Sequence, residues 1–365
     1  MRPGVWGKAL GTGGLVAIGT LLLFTFFTVW AQQALSPGPE TSLCLWDCDW
    51  YFSIARGGYQ TAPDPATLFT NLGFFPGFPA LLALVARLTG LPLNDAAALV
   101  NPVLSLAFCV LAVRYRATLG LASGAEAMLF LLAFLLSPWS LYNRVPYSEM
   151  LFNLAILGTF VCWKERRLVG AAAFGIVLTA TRVSGVLLPL VLLAGLIYEE
   201  RSRFLALLVE PDGRVRTLAL MPLGMMAFLV YLYVLVGDPL AYFHAQSLSW
   251  NQGLRNPVRL FADALQSGPV AVYDVVPFAV ATIGLAVGWR LRRIPGELAV
   301  FAWLVPALSL SSVPEGQPRY ALGLFPLYLL VPALPKWLAW LVVTGLAIGQ
   351  FVFVYFWLKR VPWLV

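Results

Sequence analysis

Charge is scarce in this chain: Asp, Glu, Lys and Arg together make up 11% of 365 residues, while 60% are hydrophobic. A soluble domain carries roughly 25% charged residues. With a mean hydropathy of +0.82, an ordinary soluble fold is excluded. Acidic residues are the scarcer sign, 17 against 24 Lys and Arg, for a net charge of +7. The excess does not make a nucleic-acid surface, because the basic residues fall in short clusters between apolar runs, the pattern of cytoplasmic loops. Histidine occurs once, at His244, and cysteine four times. No zinc-ligand spacing, Gly-rich phosphate loop or Ser/His/Asp triad is present, and the serines lack the surroundings a nucleophile needs. Cys109 and Cys162 lie in apolar runs and read as packing residues. Cys44 and Cys48 could meet across one helical turn in an oxidising compartment, but two free thiols are the plainer reading. Neither an internal repeat nor a low-complexity linker interrupts the chain, so residues 1–365 are read as one integral membrane domain.

What the chain does contain is a succession of apolar segments. The first, Ala9 to Trp30, follows Arg2 and Lys8 like a signal peptide. Its run exceeds the roughly 7–15 apolar residues of such peptides, so it reads as a retained span. Lys and Arg stay on the cytoplasmic side. The clusters at Arg114/Arg116, Lys164/Arg166/Arg167, Arg201/Arg203/Arg214/Arg216, Arg290/Arg292/Arg293 and Lys336 therefore require an even number of crossings between neighbours. Asn71 to Gly90 carries Pro76, Pro79 and Arg87, leaving fewer than the ~20 apolar residues of a span. It reads as an interfacial or re-entrant helix. Further spans are expected at Ala96–Val113, Ser123–Leu141, Glu149–Trp163, Thr217–Val236, Val270–Trp289, Leu298–Ser311, Tyr320–Leu334 and Trp337–Trp357. Leu168–Tyr198 goes out and back around Thr181-Arg182-Val183-Ser184-Gly185. The fold class is thus an all-α polytopic membrane protein of about eleven spans. Its long outer loops are 31–95 and 237–269, and its C-terminus lies outside, where Lys359 and Arg360 run against the charge rule.

This topology puts Asp47, Asp49 and Glu149 on the outer face. A carboxylate able to take a proton from a hydroxyl, beside a second that orients it or holds a cation, suits transfer to a sugar alcohol. The plainer alternatives are a solvated or helix-capping Asp pair and, for Glu149, an N-terminal capping box. Arg182 and Arg319, at span ends, are candidates for a lipid phosphate, or else interfacial anchors that snorkel. His244 is a weaker phosphate candidate, or a solvated loop histidine. Asp49, Trp50, Tyr51, Tyr147 and Tyr320 are candidate substrate contacts, and Trp46 and Tyr59 could also stack on a sugar. Aromatic belts at bilayer surfaces produce the same composition.

Five stretches, WDCDWYFSIARGGY, FFPGFP, PYSEMLF, TRVSG and PRYALGLFP, stand in the order seen in the GPI mannosyltransferase II-like group. This group belongs to the GT-C superfamily of integral membrane glycosyltransferases, and the chain resembles it from Trp46 to Pro326. The resemblance implies an inverting transferase, in a plasma or endoplasmic reticulum membrane, taking a sugar from a polyprenyl- or dolichyl-phosphate donor on the extracytoplasmic side. It also implies interfacial helices in the first outer loop. The family's first-loop Asp matches Asp47, while Asp49 falls at a variable position. Its Pro-Tyr-(Ser/Thr)-Glu matches Pro146 to Glu149, and its Thr-Arg-x-x-Gly matches Thr181 to Gly185. Cys48 replaces a frequent Ala and Val183 a frequent Pro, which leaves the acceptor, a glycan or glycolipid, open.

The expectation is a mannosyltransferase with Asp47 and Glu149 catalytic and Arg182, Arg319 and His244 toward the donor phosphate. No cofactor is assigned, and a divalent metal is left open. The rival is a transporter or flippase of lipid-linked saccharides. Such proteins place ionisable groups near the midplane and often show repeated halves, neither of which the sequence displays.

Overall fold

The computed structural model describes residues 3–35, 43–250, 256, 269–310 and 317–361. Among these, all regular structure is helical. In chain order the helices are α1 (Pro3–Ala34), α2 (Asp47–Gly57), α3 (Gly77–Thr89), α4 (Leu93–Arg114), α5 (Gly124–Leu135), α6 (Glu149–Lys164), α7 (Leu168–Thr181) and α8 (Leu187–Glu200). They continue with α9 (Phe204–Val209), α10 (Gly213–Leu220), α11 (Leu223–Val236), α12 (Ala241–Trp250), α13 (Pro269–Arg290), α14 (Gly296–Leu310), α15 (Gln317–Ala321) and α16 (Lys336–Leu358). Among the described residues, five helical segments are long and apolar enough to cross a membrane: Trp6–Ala34, Leu93–Arg114, Val183–Glu200, Gly213–Val236 and Lys336–Leu358. Shorter apolar helices lie between them.

α1 packs along α4 and α16. Gly13 permits the crossing with α4, since a Cβ there would sit 2.9 Å from the Val110 backbone nitrogen; small residues let apolar helices approach this closely. Two passages expected to be continuous are broken by proline. Pro222 separates α10 from α11, and Pro326 and Pro332 turn the expected Tyr320–Leu334 span into the short α15 and a 3-10 stretch, Phe325–Ala333. Proline removes a helical hydrogen bond and clashes with the preceding turn. Asn71–Gly90 forms a 3-10 turn at Asn71–Gly73 and the 13-residue α3, about 20 Å long and short of a bilayer core.

The loops that carry the basic clusters meet one another. Arg114 lies over Trp6 and Arg167 over Tyr115. Thr118 bonds Glu165, Lys164 pairs with Glu297, and Arg214 pairs with Glu200. The segments that hold the acidic candidates share a second apolar cluster, in which Leu45 and Tyr51 pack with Tyr147, Leu151 and Trp357 near the end of α16.

Candidate functional site

The chain enters α2 through a tight turn. Cys44 and Cys48 are joined by a disulfide across Cα atoms 5.3 Å apart, which corrects the expectation of free thiols. Trp46 stands between them at φ 51, and this backbone setting draws the two sulfurs together within ordinary bridging range. Asp47 is then the first residue of α2. At the other end of α2, the Asn71 side chain bonds Ser53 and the Gly58 carbonyl.

Glu149 opens α6, after a turn whose Val145 carbonyl accepts from the buried Asn101 side chain. One helical turn on, Asn153 donates to the Gly323 carbonyl and accepts from the Phe325 amide, tying the Arg319 segment to α6. Arg182 sits where α7 gives way to a 3-10 turn. Gly185 lets that turn fold back on α7, because a Cβ would lie 2.4 Å from the Leu178 carbonyl oxygen.

These elements bring four charged side chains into one row. Asp47 Oδ2 accepts from Arg319 Nη1 at 2.6 Å. Arg319 Nε donates to Glu149 Oε1, and Arg182 Nη1 donates to the same oxygen at 2.6 Å. The order is carboxylate, guanidinium, carboxylate, guanidinium. Side-chain exposure is 4% for Glu149, 8% for Arg319, 15% for Arg182 and 22% for Asp47, so Asp47 is the most open member. Among the described residues Glu149 Oε2, although buried, has no hydrogen-bond partner.

Aromatic faces enclose the row. Arg319 lies 4.8 Å from the centre of the Tyr147 ring and 5.5 Å from Tyr142. Arg182 lies 5.0 Å from Tyr320 and 5.7 Å from Phe152, within cation–π range. The Tyr51 and Ser148 hydroxyls bond at 3.0 Å. Burial, aided by the Glu149 and Asp47 carboxylates, raises the Tyr51 phenol well above its ordinary range, so it stays protonated at neutral pH.

Asp47, Glu149, Arg182, Arg319, Tyr51, Tyr147 and Tyr320 therefore come together from remote parts of the chain. Three other candidates do not join the row. Asp49 is exposed, as expected two residues from Asp47 on a helix, where such positions do not share a face. Trp50 stacks on Phe74 at 6.0 Å. His244 bonds Asp238 at 2.7 Å with its side chain 70% exposed. Sequence reasoning missed Tyr142, Phe152 and Asn153, which nothing but apolar or turn context surrounds. It also missed Tyr242, two residues before His244, whose ring packs on Phe75 at 4.8 Å and whose phenol is raised above its ordinary range, chiefly by burial.

Among the described residues no three His, Cys, Asp or Glu side chains converge, and both carboxylates of the row bond guanidinium groups. This donor set does not fit a metal cage. The row can hold an anion against its arginines and present one accessible carboxylate beside them. Neither a scan against protein-family models nor a search of curated proteins finds a match to the chain.

Proposed function

We propose that this chain is an inverting membrane glycosyltransferase, taking a mannosyl group from a polyprenyl-phosphate donor to a hydroxyl of a glycan or glycolipid on the extracytoplasmic side. Eleven passages through the membrane would then carry the basic loops inside and the row outside. The observation that carries the reading is that Asp47 and Glu149, in separate motifs, share Arg319, with Arg182 on the far side of Glu149. An accessible base at one end of the row and the Arg182 cation at the other, with Arg319 between the two carboxylates, suit a displacement in which the acceptor enters opposite the leaving phosphate.

In this reaction the acceptor oxygen attacks the anomeric carbon as its proton passes to the Asp47 carboxylate. A new carbon–oxygen bond forms at the sugar, and the bond to the phosphate oxygen breaks. Its electron pair leaves with the lipid phosphate, whose growing charge Arg182 and Arg319 stabilise. Glu149 contacts both guanidinium groups and acts by aiming them. Tyr320, 5.0 Å from the Arg182 guanidinium, borders the end where the donor would sit.

The test is transfer of labelled mannose from polyprenyl-phosphate mannose in membranes containing the wild type or Asp47→Asn. Loss of transfer in a folded variant supports the assignment, and undiminished turnover removes Asp47 from it. Donor moved across the bilayer with no new glycosidic bond would favour a transporter.

A further inference from the structure

Trp46 enters α2 at φ 51 and ψ −110. A residue with a Cβ holds such a conformation only where its surroundings over-determine it. Three constraints do so here. The Cys44–Cys48 bridge closes the turn. The Trp46 ring packs on Trp357 at 4.6 Å. The third is Tyr147, a hundred residues along the chain. Its hydroxyl accepts from the Asp47 amide at 3.2 Å and donates to the Leu45 carbonyl at 2.9 Å, so one phenol oxygen grips the turn on both sides of Trp46.

Tyr147 does a second thing from the same position. Its ring face lies 4.8 Å under the Arg319 guanidinium, the group that bonds Asp47 at 2.6 Å. Tyr147 is itself held, 1% exposed, by the ring of Trp357 at 5.8 Å and by Asn101, which bonds the Val145 and Tyr147 carbonyls. The Asp47 amide heads a helix, so it has no partner within α2, and without the phenol it would lose this one.

Resting on the transferase reading above, we propose that Tyr147 is a positioning residue for Asp47: its hydroxyl fixes the backbone that carries the base, and its ring seats the arginine beside it. The disulfide braces the same turn. Deleting the phenol's two hydrogen bonds, or opening the disulfide, should move the Asp47 carboxylate relative to the acceptor oxygen, while the Tyr147 ring and Glu149 keep the arginines that hold the donor in place.

Tyr147→Phe separates the two parts, because it keeps the ring and deletes both hydrogen bonds. In the purified full-length protein kcat should fall about 10- to 100-fold, the scale of a misplaced reacting group, with KM for the polyprenyl-phosphate donor within about twofold. Amide hydrogen exchange in the 45–49 segment should accelerate. A wild-type kcat with unchanged exchange would overturn the proposal. Should Tyr147→Phe not fold, the wild type reduced with a thiol decides: lower kcat at constant donor KM is expected, and undiminished kcat counts against a braced turn. If the wild type transfers no sugar at all, the transferase reading fails by itself. The exchange rate at Asp47 then still judges the Tyr147 clamp.

Discussion

Glu149 bonds two guanidinium groups through one oxygen while nearly sealed from water. Losing one partner of a buried ion pair is far costlier than the pair's net worth, about 3–5 kcal/mol, because the remaining charge is stranded. Glu149→Gln should therefore lower the thermal midpoint in detergent markedly, as well as activity; an unchanged midpoint would mean that water reaches the two arginines. Arg144 gives the opposite expectation. It is buried, its side chain's only hydrogen-bond partner among the described residues is Thr20, and its Nε and Nη1 have none. Replacing a buried, poorly compensated charge by an apolar residue of similar length is often neutral or stabilising. Arg144→Met should keep or raise the midpoint, and a large drop would reveal a counter-charge at this position. Arg182 was legible as a candidate because a guanidinium in the middle of an apolar run needs a reason. Tyr147 was legible only as one more aromatic, because a phenol's two hydrogen-bond partners depend on a fold that brings residue 147 to residue 45.

At the scale of elements, the position of Arg182 depends on how α7 is gripped. Gly224 brings α11 against it so closely that a Cβ would lie 2.0 Å from the Ile176 carbonyl oxygen and 2.7 Å from the Ala180 nitrogen. Gly77 does the same for α3, 2.8 Å from the Ala180 carbonyl oxygen. Backbone cannot yield as a flexible side chain does, and overpacking costs about 1–3 kcal/mol. Gly224→Ala should lower the midpoint and transfer activity together, whereas Gly14→Ala, with nothing within 4 Å, should change neither. Equal behaviour of the two would contradict the packing. Most helices were legible from apolar runs bounded by charge, and the break at Arg182 was legible because each half was too short alone. The breaks at Pro222 and through Phe325–Ala333 were less so, since hydropathy averaged over a window ignores the hydrogen bond each proline removes. The disulfide depended on Trp46 adopting a positive φ, for which a tryptophan gives no local signal.

At the scale of the whole molecule, the basic loops around Arg114, Lys164 and Glu297 contact one another, and the charged row is built from other turns. If the positive-inside rule governs this chain, Arg292→Cys should react with a membrane-impermeant thiol reagent only when the cytoplasmic face is opened, and Asp238→Cys in intact cells. The reverse pattern would put the row in the cytoplasm and remove a lumenal or periplasmic donor.

The row itself is best tested by a density map of the protein with a non-hydrolysable polyprenyl-phosphate sugar. The expected result is the donor phosphate within about 3 Å of the Arg182 and Arg319 guanidinium nitrogens, its sugar toward Asp47 and its lipid in the bilayer. A phosphate bound away from both arginines, or a sugar that Asp47 cannot reach, would contradict the site.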